Sequence, residues 1–327
     1  MRAIKVRDPE HSVSPVFTAL KHIPLLDHLR SLSLPSSCID AAALYVIGNL
    51  PLLETLSIHA SALHRPSWAL DHCVLPVNSF AALRHLELYR ISLPLILGIF
   101  EQTVLLRNLD CATVVLPWES YDEHHEPPTS LCIVESLAHS RPELTRLMLT
   151  IDDNRRSISS DWRYIKAFKR LALRYLNLDS PFLCIRQAHG GPHWDDFFGA
   201  LPDLEELRLP GSMFEMSVLD SVQVKLPKLL VLEVAYIGPR MVIQLPPRIP
   251  SLNPLIIYSR GFFTQLTHRY PGYIIDFVRN VHRLWPNAKL RVPEADCRLW
   301  YRRGQIMVAE GNYLLELLRS DTNEHEK

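Results

Sequence analysis

The chain has 327 residues and 37.6 kDa, with 35 basic and 35 acidic side chains, 47% hydrophobic residues and a mean hydropathy of +0.02. Such a composition excludes a disordered or collagen-like chain, and balanced charge argues against an obligate polyanion binder, whose affinity depends on a basic excess. Leucine occurs 54 times beside 25 prolines and only 11 glycines, a skew toward a leucine-based repeat and away from glycine-rich phosphate loops.

The first residues, MRAIKVRDPEHS, are charged and no apolar h-region follows, so residues 1–22 read as a lead-in rather than a signal peptide. A hexamer L-x-x-L-x-L then recurs along the chain. It begins as LRSLSL at Leu29, and DAAALYVIGNL over Asp40–Leu50 reads as a helix with Asp40 as its N-cap. LETLSI at Leu53 and LRHLEL at Leu83 follow. The apolar run Ile91–Phe100 is half the length of a bilayer span and contains Pro94 and Gly98, so it belongs to a core; Leu93–Leu105 reads as a helix. LRNLDC at Leu106 precedes an acidic, histidine-bearing insertion, Trp118–Thr129. A solvated loop accounts for it, and its functional version is a lip that contacts a partner.

Helices are expected over Ser130–His139, Asp161–Arg170, His193–Ala200 and Ser212–Val222. They alternate with LTRLML at Leu144, LRYLNL at Leu173, LEELRL at Leu204, LLVLEV at Leu229 and a weak LNPLII at Leu252. Past residue 258 the repeat fades. Tyr270–Trp285 has helical periodicity, NAKLRV reads as a last strand, Cys297–Ala309 as two short strands joined near Arg303–Gly304, and Gly311–Arg319 as a terminal helix. Residues 23–258 are thus expected to form the repeat body and residues 259–327 a helical and strand cap.

The central leucines are 32, 56, 86, 109, 147, 176, 207, 232 and 255, mostly 23 to 31 residues apart with one longer step between 109 and 147. Leucine-rich repeats recur every 20–29 residues. In x-L-x-L both leucines point to one side of a short strand, and a single repeat cannot bury that side alone; stacked repeats can. The expected fold is therefore α/β, an irregular leucine-rich-repeat solenoid with a curved parallel sheet on its concave side and helices and loops on the convex side. Proline often stands two residues ahead of the hexamer, as in LPDLEELRL and LPKLLVLEV. The position that would bond the neighbouring repeat's backbone holds Ser37, Ser61, Ile91, Val114, Asp152, Pro181, Ser212 and Ile237, of which about half can hydrogen-bond.

Signatures of catalysis are missing: no GxSxG, GxxxxGK[ST], HExxH or EF-hand loop occurs. His189–His193 (HGGPH) has no nucleophile elbow beside it and reads as a turn. Six dispersed cysteines (38, 73, 111, 132, 184, 297) never form CxxC, and no N-x-S/T sequon is present, so a reducing compartment, cytoplasmic or nuclear, is expected. Neither a cofactor nor a metal is implied, nor a nucleic-acid or membrane partner. Tyr258-Ser259-Arg260 and Trp300–Arg303 mix bases and aromatics but are too short for an RNA platform.

Residues between the inward leucines should face outward: Ser31, Ser33, Thr55, Ser57, His85, Glu87, Tyr89, Asn108, Asp110, Arg146, Met148, Tyr175, Asn177, Asp179, Glu206, Arg208 and Glu233. Tyr and Arg dominate protein interfaces, so the partner-binding candidates are His85, Glu87, Tyr89, Arg146, Tyr175, Asn177, Asp179, Glu206, Arg208 and Glu233, and the partner class is protein.

The irregular LxxLxL units, the P-x-L lead-ins and the late WPNAKLRV segment together resemble the leucine-rich part of fungal F-box-type proteins over roughly residues 20–295. The resemblance implies a non-catalytic module that recruits substrates to an SCF-type ubiquitin ligase. The ligase adaptor would be a partner only where an F-box lies upstream, and the F-box pattern is not found ahead of Leu29. The alternative is a free-standing scaffold or inhibitor of the ribonuclease-inhibitor type. A hydrolase is the third reading, and no residues converge to support it.

Overall fold

The computed structural model describes residues 3–5, 27–60, 74–116, 129–151, 162–179, 194–238, 250–251, 253–259, 273–291 and 300–325. The 118–129 insertion (apart from the backbone of Thr129) and the HGGPH turn lie outside them. The chain divides into two compact units. Unit 1 comprises Met1–Asp152 with Lys166–Leu173, and unit 2 Asp153–Ile165 with Arg174–Lys327.

Unit 1 carries six strands, β1 (Ala3–Lys5), β2 (Ser31–Pro35), β3 (Thr55–His59), β4 (His85–Tyr89), β5 (Cys111–Leu116) and β6 (Arg146–Ile151). Each pairs in parallel with the next in chain order. Unit 2 repeats the arrangement with β7 (Tyr175–Asp179), β8 (Glu206–Glu215), β9 (Val231–Gly238), β10 (Ile256–Ser259) and β11 (Lys289–Arg291). The nine helices among the described residues are α1 (Ala41–Gly48), α2 (Leu93–Glu101), α3 (Thr103–Leu106), α4 (Thr129–Ser140), α5 (Trp162–Phe168), α6 (Trp194–Gly199), α7 (Val218–Lys225), α8 (Tyr273–Leu284) and α9 (Trp300–His325). The fold class is α/β.

Alternation along the strands governs packing. In unit 1 one register row runs Leu32, Leu56, Leu86, Ala112 and Leu147, and the next runs Leu34, Ile58, Leu88, Val114 and Leu149. All ten are fully or almost fully buried. Leu176, Leu207, Leu232, Ile257 and Leu290 form the matching row of unit 2. Each such leucine contributes about 1.5–3 kcal/mol by leaving water. Intervening residues are half-buried or exposed in nearly every strand. Parallel sheets packed by helices on both faces have apolar residues throughout their strands; here the second face is mostly polar, with Met148, Val231 and Ile256 among the exceptions.

The lead-ins have a common geometry. Leu53, Leu83, Leu109, Leu144, Leu204, Leu229 and Ala288 each donate their N–H to the carbonyl three residues earlier, on Leu50, Phe80, Leu106, Arg141, Leu201, Leu226 and Trp285. Pro51, Pro142, Pro202, Pro227 and Pro286 occupy the second position of these turns, where a fixed φ suits the bend and a missing N–H costs nothing. At five of the strands the residue just before the strand accepts two backbone N–H groups from the next repeat, whereas Asp110, Leu230 and Leu255 accept one. The Arg30 carbonyl takes the N–H of Glu54 and Thr55, Glu54 takes Arg84 and His85, and Arg84 takes Asp110 and Cys111. In unit 2 Arg174 takes Glu205 and Glu206, and Glu205 takes Leu230 and Val231.

Four expectations are corrected. Leu109 is a turn leucine equivalent to Leu83, and the strand centre is Ala112, opposite Leu86. Likewise Ile257, not Leu255, lies opposite Leu232. The helix placed over Ser212–Val222 begins at Val218, because β8 resumes pairing after an irregularity between Leu209 and Met213 and its backbone is satisfied by Tyr236, Ile237 and Gly238. Of the strand pair placed over Cys297–Ala309, the described part from Trp300 onward and the short helix after it are one helix, α9; residues 297–299 lie outside the described residues. Gly311 marks close packing rather than a turn, since a Cβ there would meet Leu290 Cδ1 at 2.8 Å.

Other helices follow the sequence closely. Asp40 caps α1 by accepting from the Ala43 N–H at 2.7 Å. The helix expected over Leu93–Leu105 breaks at Gln102 into α2 and α3, and both Leu105 and Leu106 are then fully buried. In unit 2, Trp194 stacks on Phe198 at 5.4 Å and meets Phe214 at 4.6 Å, tying α6 to β8. Arg283 of α8 reaches Asp220 of α7 at 2.8 Å.

Candidate functional site: the polar faces of the two units

The outward residues of the strands form ordered rows because the register is continuous across these positions, which precede the irregularity in β8. In unit 1 one row runs Ser31, Thr55, His85, Cys111 and Arg146, and the next Ser33, Ser57, Glu87, Thr113 and Met148. In unit 2 they run Tyr175, Glu206, Val231, Ile256 and Lys289, then Asn177, Arg208, Glu233, Tyr258 and Arg291. Asn108 and Asp110 leave this face as a consequence of the register correction. Asn108 donates to the Ala81 carbonyl at 2.9 Å, and Asp110 lies 3.7 Å from Arg84 on the turn that leads into β5.

On unit 1 the structure places four predicted residues: His85, Glu87 and Tyr89 on β4 and Arg146 on β6, opposite Cys111. Burial pushes the Tyr89 phenol above its ordinary value, and the Glu87 carboxylate, which accepts its hydrogen bond, adds to the effect. Burial likewise raises the Cys111 thiol, with Arg146 working in the opposite direction. A raised thiol is a poor nucleophile at neutral pH.

Unit 2 brings the other candidates together around one guanidinium. Arg208 Nη1 donates to Glu233 Oε2 at 3.1 Å, and Nη2 lies 3.5 Å from Glu206 Oε2. Its Cζ is 6.0 Å from the Tyr175 ring centre and 5.9 Å from that of Tyr258, at the outer limit of a cation–π contact. The Glu233 side chain is only 9% exposed, and those of Arg208 and Glu206 about a third. Burial lowers the Arg208 pKa, but Tyr175, Glu233 and Glu206 outweigh it, so the guanidinium is held charged. Asn177 stands beside Arg208 in register; its Oδ1 and Arg208 Nε are buried with no hydrogen-bond partner among the described residues. Asp179, at the end of β7, does not contribute to this group.

Tyr258 is the residue that the sequence reading missed. With Leu255 taken as the strand centre it fell past the strand; centring on Ile257 puts it opposite Glu233. The signal was available in the β-branched pair Ile256-Ile257, which suits a strand better than Asn253-Pro254 does.

Charged pairs also line the turns below each face. Arg30 pairs with Glu54 and Arg84 with Asp110 in unit 1, and Arg174 pairs with Glu205 and Lys228 with Asp203 in unit 2. All are largely solvent-exposed, and such pairs contribute about 0–1 kcal/mol each. Among the described residues no helix is long and apolar enough to cross a membrane, and no group of three or more His, Cys, Asp or Glu side chains could hold a metal ion. No protein-family model matches the chain, and a search of curated proteins finds no relative.

Proposed function

We propose that the chain is a leucine-rich-repeat solenoid that works without catalysis, by binding another protein on the polar face of its strands. The observation that carries this reading is the one-sided sheet. Turn and strand recur in the same order, the leucine side of the strands goes to the core, and the other side carries mixed rows, one of which in unit 2 runs Asn177, Arg208, Glu233, Tyr258 and Arg291. Repetition of one supersecondary unit buries a continuous core and leaves an extended surface for recognition. The F-box-type resemblance gives the setting: recruitment of a substrate to an SCF-type ubiquitin ligase.

Affinity purification of the tagged chain from cells of its source, with mass spectrometry, tests the reading when it is run beside Tyr175→Ala/Arg208→Ala. One or more proteins should be retained by the native chain and lost from the double variant, which should keep a cooperative unfolding transition at a lowered temperature, because Glu233 loses its bond to Arg208. Equal recovery on both would remove the unit 2 face from the binding role. Recovery of a cullin–RING adaptor with the substrate supports the ligase setting, and recovery of the substrate alone favours a free-standing scaffold.

A further inference from the structure

We propose that the unit 2 face takes an uncharged segment of its partner that carries an aromatic side chain, seated on the Arg208 guanidinium, and that it does not capture phosphate or carboxylate. The inference rests on the protein-binding reading above and names the chemistry of that same surface.

An arginine at the centre of a recognition face ordinarily suggests an anion. Here its charge is already committed. Glu233 and Glu206 lie 3.1 and 3.5 Å from its terminal nitrogens, so two carboxylates flank one guanidinium. An incoming anion would have to displace at least one of them. Glu233, with a side chain 9% exposed, is largely shielded from water where it meets Arg208, and separating a largely buried pair is strongly unfavourable. What Arg208 still offers is a flat surface about one-third exposed, framed by the rings of Tyr175 and Tyr258 at 6.0 and 5.9 Å. A guanidinium is weakly hydrated and stacks on aromatic faces. Glu233 and Glu206, on the flanking strand and on its own, hold it in place before any partner arrives, so little side-chain entropy is lost on binding. Among the described residues the other cations in these outward rows, Lys289 and Arg291, are on β11, three strands away, or about 14 Å at the usual strand spacing.

The test follows the Nε–Hε resonance of Arg208 in the uniformly 15N-labelled full chain, assigned by its loss in Arg208→Lys. N-acetyl-tryptophanamide and inorganic phosphate are titrated separately at constant ionic strength. The tryptophanamide should shift the resonance saturably, and Tyr175→Ala or Tyr258→Ala should weaken that binding about fivefold. Phosphate should leave the native resonance in place but move it in Glu206→Gln, where one of the two neutralising charges is gone and the altered side chain is exposed enough to leave folding intact. A native resonance that moves with phosphate as much as with tryptophanamide would overturn the proposal, as would the lack of a saturable shift with tryptophanamide. Either result would leave partner capture dependent on Tyr175 and Arg208 standing; loss of that dependence would sink the protein-binding reading itself.

Discussion

The Asn312 carboxamide pairs with both backbone groups of Leu290: its Oδ1 accepts from the Leu290 N–H at 3.0 Å and its Nδ2 donates to the Leu290 carbonyl at 3.1 Å. A side chain of α9 therefore makes the two bonds that a further strand would make to β11. Arg319, two turns on, donates to the carbonyls of Pro286 and Ala288 in the turn ahead of the same strand. Open strand edges invite pairing with other chains, and α9 satisfies this one from within. Asn312→Ala should lower unfolding stability by about 1–3 kcal/mol, the cost of leaving partly buried backbone groups unpaired. Faster amide exchange at Leu290 would locate the loss; native exchange there would show that Asn312 does not hold the edge.

A glycine inside a helix usually gains about 1 kcal/mol on conversion to alanine. Gly48, in the last turn of α1, should do the reverse. A Cβ there would stand 2.9 Å from Phe80 Cε2 and 2.9 Å from Ser79 Cβ, and the Phe80 N–H donates to the Gly48 carbonyl at 2.7 Å. Phe80 is itself fixed, fully buried at a φ of 56° that non-glycine residues rarely adopt. Gly48→Ala should therefore destabilise by about 1–3 kcal/mol through overpacking, measured by urea denaturation. A stabilised variant would mean that Phe80 can move.

The register of β5 gives a two-sided test. With Leu109 as strand centre, Cys111 would point inward and Ala112 outward; the observed pairing reverses both, with Ala112 between Leu86 and Leu147 and 1% exposed. Ala112→Asp should cost about 3 kcal/mol or more, because an unpaired carboxylate would enter the core. Cys111→Asp, half-buried on the polar face beside Arg146, should cost clearly less than Ala112→Asp. Thermal unfolding of the pair decides it, and the opposite ranking would restore the hexamer register.

That error shows where sequence reading was strong and where it failed. Seven strand centres, from Leu32 to Leu232, stood where the hexamer put them, because each has leucine at the turn, the centre and, with few exceptions, the end. At Leu106 the turn and lead residues are both leucine while the true centre is alanine, so the motif matched three residues early. At Leu255 two isoleucines replaced the pattern. Helices with a cap or clear periodicity, such as α1 and α8, were legible; α9 was not, since Gly304 and Gly311 read as breaks, and the need for Gly311 is set by Leu290, 21 positions earlier in the chain. The site shows the same limit. Alternation told which residues face outward, but only the register of four strands could bring Tyr175, Arg208, Glu233 and Tyr258 around one guanidinium.

His282 supplies a pH dependence whose direction follows from its surroundings. Its Nε2, on α8, is buried with no hydrogen-bond partner among the described residues, and burial together with the Arg319 guanidinium lowers its pKa below the ordinary 6.5. Below pH 6.5 the unfolded chain therefore binds a proton at this residue that the folded chain resists, and stability falls with falling pH through that value; above it His282 contributes no slope. Urea midpoints measured from pH 7.5 to 5.0 should decline less steeply in His282→Gln than in the native chain. Since Arg319 repels the imidazolium, Arg319→Gln should also flatten the slope, while losing stability at every pH through its bonds to Pro286 and Ala288. Identical slopes in all three chains would show that His282 takes up its proton equally in the folded and unfolded states.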